Sequence, residues 1–199
     1  MYEITLADGT AVLFAGTRGN YYELAPDRHI DVIATPAWCR RCGDFRHGEH
    51  LEPVAEIDQE IVDLRNPRSK LYQMWARDYL QECKDLGPAF CAGRIAELKL
   101  RRAWRQTRVA PPKCIECGST DIVPLPFDGA VANPSGSGTL SVRVRGMCST
   151  VFNEWYFTPE GDRIPRDTKP TYWHFPGGGD EMNKPGSGIE WLRRRGLLQ

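Results

Sequence analysis

The sequence predicts an α+β fold, with small antiparallel β units toward both ends of the chain and a helical unit inserted between them. Three observations predict it. Apolar and polar residues alternate in the first stretch of the chain and again from Leu140 to Val144. Between residues 51 and 110 apolar residues instead recur every three or four positions. Two Cys-x2-Cys pairs, Cys39–Cys42 and Cys114–Cys117, flank that helical stretch. The expected organisation is a β unit with the first cysteine pair (1–50), a helical insertion (51–110), and a third segment (111–199). This last part carries the second pair, an aromatic β-meander and a closing helix.

Tyr2, Ile4 and Leu6 alternate with polar residues and open the first strand. Asp8-Gly9 is a hairpin signal, because glycine supplies the positive φ that tight turns need, and Ala11–Ala15 follows as a second strand. A turn at Gly19-Asn20 leads to candidate strands at Tyr21–Leu24 and His29–Ala34, separated by Pro26-Asp27. The fourth strand delivers the chain to Cys39.

Pro53 suits the first position of a helix, where no backbone N–H is needed. Val54, Ile57, Ile61 and Leu64 then form one stripe, opposite Glu56, Gln59, Glu60 and Asp63. Asn66-Pro67 stops it. A second helix over 69–86 is capped by Ser69 and carries Tyr72, Trp75, Tyr79, Cys83 and Leu86 on one face. Gly87-Pro88 separates it from a third, about 88–109, with Ile95, Leu98, Leu100 and Trp104. Pro111-Pro112 ends that helix before Cys114.

After Gly118 the pattern returns to β. Ile122–Phe127 contains two prolines, which suits a sheet edge, where a missing N–H breaks no ladder. Residues 128–138 read as a flexible loop. Leu140, Val142 and Val144 define a half-buried strand, expected to pair with aromatic-rich Thr150–Thr158 across a turn at Gly146–Ser149. Pro159–Asp162 is a turn. Residues 165–188 are rich in Pro and Gly, and Ile189–Leu198 reads as a short closing helix.

The cysteine pairs carry the chemistry. Two sulfurs that share a metal ion must converge within a few ångströms, and a tight turn between them achieves this. Each second cysteine is followed by a glycine, Gly43 or Gly118, able to take a positive φ. Each pair supplies half of a tetrahedral shell. The two together resemble zinc-ribbon proteins, in which two knuckles at the tips of two hairpins clamp one zinc ion. The resemblance spans about a dozen residues and implies a structural Zn2+ held by Cys39, Cys42, Cys114 and Cys117. The ribbon would be split, since 71 residues separate Cys42 from Cys114. Closing such a loop costs about 4 kcal/mol plus a constant. Structural zinc contributes roughly 10–16 kcal/mol in small peptides, so the metal wins.

A local shell of Cys39, Cys42, His47 and His50 is an alternative, although its histidine spacing is short and it leaves the second pair unused. A disulfide framework is another. The chain has 7 cysteines, and its opening residues MYEITLADGT have neither a basic n-region nor an apolar h-region. The expected compartment is therefore the reducing cytoplasm, where disulfides are rare. Cys83, Cys91 and Cys148 have no partner at ligand spacing, and the first two read as small buried hydrophobes.

Composition excludes several classes. Lys plus Arg equals Asp plus Glu at 26 each, so the whole chain exerts no net pull toward nucleic acid or anionic membrane. No apolar run approaches the length that spans a bilayer. One local exception is basic: Arg94, Lys99, Arg101, Arg102, Arg105 and Arg108 crowd the third helix and form a candidate nucleic-acid surface. The acidic residues Glu52, Glu56, Asp58, Glu60 and Asp63 offer a competing use for those charges, if the two helices face each other. Arg193-Arg194-Arg195 forms a further basic run.

Enzymatic signatures are absent. There is no nucleophile elbow, Walker loop, dinucleotide fingerprint or His-Glu-x-x-His. Gly177–Asp180 lacks the Lys-Ser/Thr of a phosphate loop, and Tyr172–Phe175 reads as an aromatic core segment. A redox role is the other use of Cys-x2-Cys, and Arg40 and Arg41 inside the first pair would favour thiolates for either chemistry. The glycine after each pair favours metal. The sequence therefore points to a zinc-stabilised binding or interaction protein with a protein partner, the metal non-catalytic. A nucleic-acid-binding protein using 94–108 is the alternative.

Overall fold

The computed structural model describes residues 2–14, 20–26, 28–74, 87–144, 151–152, 155–165 and 171–172. The chain divides into two compact units. The first comprises Met1–Leu51 with Val109–Phe175. The second comprises Glu52–Arg108 with Pro176–Gln199, and its described residues all lie before Val109. The fold class is α+β, as the sequence predicts.

In the first unit, β1 (Tyr2–Thr5) pairs antiparallel with β2 (Ala11–Phe14), bringing Ile4 opposite Val12. Gly9 takes φ 85° in the connecting turn, and Asp8 Oδ1 accepts the Thr10 N–H at 2.8 Å. The other edge of β1 pairs with β9 (Thr139–Val144), and β9 with β8 (Gly129–Ala132), giving the order β2-β1-β9-β8. Residues 128–138, expected as a loop, thus contain a strand. Alternation puts Ile4, Leu140 and Val142 on one face, each no more than 1% exposed.

Both edges of β9 are taken, so the aromatic strand that follows pairs elsewhere. β11 (Trp155–Phe157) lies parallel to β3 (Asn20–Ala25), not against β9 as the sequence suggested. β4 (Arg28–Asp31) and β12 (Arg163–Ile164) complete a sheet of order β12-β11-β3-β4. Tyr22, Ile30 and Phe157 are buried there. Gly161, at φ 78°, makes the turn expected at Pro159–Asp162. β10 (Val151–Phe152) pairs with β13 (Thr171–Tyr172).

The third sheet positions the cysteines. The fourth strand ends at Asp31, earlier than the sequence implied, and a separate hairpin follows. It consists of β5 (Ala34–Cys39) and β6 (Asp44–Glu49), with β7 (Ile122–Pro124) on the other edge of β5. The proline-bearing strand is at an edge, as expected. Phe45 and Leu125 from this region join Ile4, Leu140 and Val142 in one core cluster. Trp38 meets Phe45 edge-on at 5.0 Å between ring centres.

The second unit is helical. α1 (Val54–Arg65) buries Ile57, Ile61 and Leu64, the predicted stripe. Pro53 sits just outside the helix, at its cap. α2 (Lys70–Gln73) starts at Ser69, whose Oγ accepts the Tyr72 N–H at 2.9 Å. α3 (Gly87–Thr107) contributes Cys91 and Leu98 to the same apolar cluster as α1. Cys91 is 2% exposed, the packing role expected of it. The expected continuation of the second helix through Cys83, Cys148 with its turn, Trp173–Phe175, Gly177–Asp180, the arginine run and the closing helix lie outside the described residues.

Candidate metal centre

The first cysteine pair occupies the β5–β6 turn. Cys39 ends β5, the Gly43 N–H donates to the Cys39 carbonyl at 2.9 Å, and Gly43 takes φ 65°. The second pair repeats this geometry: the Gly118 N–H donates to the Cys114 carbonyl at 2.8 Å, and Gly118 takes φ 71°. An L-residue at either position would meet the left-handed penalty of roughly 1–2 kcal/mol, which explains the glycine after each pair.

The backbone brings the pairs together. The segment entering the second pair runs along the free edge of β6. The Glu49 N–H donates to the Lys113 carbonyl and the Ile115 N–H to the His47 carbonyl, both at 2.9 Å. The segment leaving it becomes β7, with Cys39 opposite Ile122. The second knuckle is therefore laced to both edges of the hairpin that carries the first.

Close approach on this path explains Gly48, which bridges to Cys114. A Cβ at residue 48 would lie 2.9 Å from the Ala37 Cβ and 3.0 Å from the Ile122 Cδ1. Glu49, 3% exposed, supports the same path. One carboxylate oxygen accepts the Tyr22 hydroxyl at 2.7 Å, and the other accepts the Lys113 N–H at 2.8 Å.

As a result, the Sγ atoms of Cys39, Cys42, Cys114 and Cys117 all lie within 4.8 Å of one another. Cys39 and Cys117, from different pairs, are 3.6 Å apart. Sulfurs at the corners of a tetrahedron around zinc, each about 2.3 Å from the ion, would be about 3.8 Å apart. The donor set and spacing fit such an ion. Cys39 and Cys114 are buried, Cys42 and Cys117 half-buried.

Electrostatics favour a cation here. Burial, with hydrogen bonds and repulsion from the neighbouring sulfurs, pushes the Cys42 thiol up to about 11. Burial also pushes Cys114 up strongly, against the backbone N–H groups of Cys117 and Glu116 that donate to its sulfur. Partial burial raises Cys117 as well, but the Ser119 N–H and the surrounding thiols outweigh this and hold it below the ordinary thiol value. Four thiolates together require a positive ion between them.

Neither histidine joins the cysteines. His47 Nδ1 faces Glu116 Oε1 at 3.6 Å, and the His50 ring packs on Phe127 with centres 5.2 Å apart. Among the described residues, the four cysteines are the one group of three or more potential ligands. Arg40, expected to act on the sulfurs, pairs with Asp121 at 3.3 Å. The guanidinium held between the two pairs belongs to Arg46, which lies 2.7 Å from Asp44 Oδ2 and 2.7 Å from Glu116 Oε2. Sequence reasoning missed it, together with Asp44, Glu116 and Glu49. The available signal was the alternation of residues 44–49, hidden because only Phe45 is a large apolar residue there.

The candidate nucleic-acid residues lie on α3, with Arg108 just past its end, and several of their charges are engaged. Arg94 pairs with Glu60 at 3.0 Å and Glu97 at 3.1 Å. Arg102 meets both oxygens of Asp58, at 2.6 and 3.3 Å. Arg101, its side chain 3% exposed, lies 3.6 Å from both Glu52 and Glu97. Arg108 is buried with its guanidinium over the Trp104 ring. Lys99 is exposed and Arg105 half-buried. Despite burial, Glu97 and Glu60 stabilise the charge on Arg94. The acidic α1 and basic α3 thus face each other through ion pairs.

Among the described residues no helix is long and apolar enough to cross a membrane. No family model, curated protein or solved structure matches this chain.

Proposed function

We propose that this chain is a binding or interaction protein whose first unit is organised by a structural zinc ion, with Cys39, Cys42, Cys114 and Cys117 as ligands. The observation that carries this reading is the convergence of four sulfurs within 4.8 Å, from two turns built alike but far apart in sequence. A zinc ion in this shell would supply cross-linking without catalysis, because four thiolates leave no position for water or substrate. The chain's own residues do the rest. Gly43 and Gly118 shape the turns, the ladder from Lys113 to Ile115 aligns them, and Glu49 fixes the segment that enters the second.

Four reduced cysteines suit a reducing compartment such as the cytoplasm. The engagement of Arg94, Arg101 and Arg102 by acids of the helical unit weighs against nucleic acid, leaving a protein as the partner we propose. Protein purified without added metal should contain one zinc per chain by elemental analysis. A pull-down from native extract should recover the same partner before and after nuclease treatment. Absence of zinc would reject the metal reading. Partner loss on nuclease treatment, with salt-dependent binding to RNA or DNA, would move the function to α3.

A further inference from the structure

We propose that Cys117 is an oxidation site and Cys39 its resolving cysteine, so that a peroxide converts the metal centre into a disulfide spanning the two pairs. The bridge itself stands on the positions of the sulfurs, and the loss of zinc that accompanies it rests on the zinc reading above. All four cysteines are free thiols. Cys117 is partly exposed, which gives a small oxidant access, whereas Cys39 is fully buried. Their Sγ atoms lie 3.6 Å apart. An accessible thiol with a second thiol beside it is the arrangement of a redox-sensing cysteine and its resolving partner. The backbone holds this pair in place. Cys39 ends β5, and the segment that leaves Cys117 runs beside it. The Arg40 N–H donates to the Asp121 carbonyl at 3.0 Å, and Cys39 lies opposite Ile122. Closing from 3.6 Å to the roughly 2 Å of a disulfide can be met by side-chain movement at the two turns.

The chemistry balances with hydrogen peroxide as the oxidant. The Cys117 sulfur attacks one peroxide oxygen, the O–O bond breaks, and the products are Cys117 sulfenic acid and water. The Cys39 sulfur then attacks the sulfenic sulfur, the S–O bond breaks, and the oxygen leaves as a second water with the Cys39 proton. Where the sulfurs start as metal-bound thiolates, solvent supplies the protons. The two sulfurs lose two electrons and peroxide gains them. Cys42 and Cys114 alone then remain as ligands, too few to retain a structural zinc. The bridge joins residues 78 positions apart, so it takes over the cross-link between the two chain segments of the first unit. Cys42 is also partly exposed, and a Cys39–Cys42 bridge is the competing product, but it would leave the two pairs unjoined. In a reducing compartment the Cys39–Cys117 bridge is transient, because two thiols of a reductant such as glutathione return both cysteines.

The test titrates the full-length protein, as purified, with hydrogen peroxide. Released zinc is followed with a chromogenic chelator, and disulfides are located by mass spectrometry of unreduced tryptic peptides. Arg40 and Arg41 lie between Cys39 and Cys42, so trypsin places those two cysteines in different peptides. Fragmentation separates Cys114 from Cys117. The first bridge should be Cys39–Cys117, with about one zinc lost per peroxide consumed, and dithiothreitol should restore zinc binding. The oxidised protein should keep hydrogen-exchange protection in β5 and β7, which protein stripped with EDTA should lose. A first bridge at any other pair, sulfinic acid at Cys117 without a bridge, or zinc retained in excess peroxide would overturn the proposal. Protein purified without zinc that still forms Cys39–Cys117 would overturn the zinc reading and leave the bridge standing. Zinc-bound protein that oxidises by another route would overturn this inference alone.

Discussion

Cys114→Ser should release zinc during dialysis and loosen the first unit at both of its chain segments together. Structural zinc contributes roughly 10–16 kcal/mol in small peptides. Whole domains are stable by only about 5–15 kcal/mol. Removing one buried thiolate therefore threatens the entire unit. The backbone ladder between Lys113–Ile115 and β6 remains possible in the variant, so residual strand pairing is expected, but not native protection. Hydrogen exchange reads this directly. Amides of β1 and β5 should lose protection in step with those of β7 and β9, because Ile4, Phe45, Leu125, Leu140 and Val142 share one cluster. Loosening confined to the segment after Val109, with the first fifty residues unchanged, would show that the early cysteines do not depend on the late ones.

Glu49→Leu should cost about 2–6 kcal/mol, the sum of two buried donors each losing its acceptor at roughly 1–3 kcal/mol. The donors are the Tyr22 hydroxyl and the Lys113 N–H, and the carboxylate links β3 to the segment preceding Cys114. Glu49→Gln separates this role from packing. Its amide carbonyl can keep the Lys113 N–H while its NH2 faces the Tyr22 hydroxyl, which can rotate to accept. The Gln variant should lose less than half as much stability in urea denaturation, and should keep zinc more tightly than Leu. Equal midpoints for the two variants would mean that the carboxylate acts as filler rather than as a double acceptor.

These two positions differ in how readable they are from sequence. The four cysteines are legible because metal chemistry demands a fixed ligand type and local spacing, and the glycines that follow mark the turns. The α1 stripe is legible because Ile57, Ile61 and Leu64 recur at helical period and are buried in that order. Strand β6 is not. Its buried positions include Gly48, small because Ala37 and Ile122 approach closely, and Glu49, a charge whose hydrogen bonds go to Tyr22 and Lys113, distant in sequence. Hydrophobic alternation cannot report such positions, and His47 and His50 around them suggest ligands instead.

Strand partners were harder than strand existence. The residues of β9 and β11 look extended in sequence, but β9 has β1 and β8 on its two edges, which sends β11 to β3. That outcome depends on a strand, Gly129–Ala132, that looks like a loop because its residues are small. The charge pattern of α3 was legible as basic. Engagement with α1 was one of two uses that the charges allowed, and the individual pairs, such as Arg102 with Asp58, required the geometry.

The most direct test of the shared centre is zinc K-edge X-ray absorption on protein purified without added metal. The four-cysteine site predicts a single shell of four sulfurs at about 2.3 Å, with no nitrogen or oxygen ligand. A mixed shell containing imidazole, two sulfurs in place of four, or protein carrying no zinc at all would contradict it.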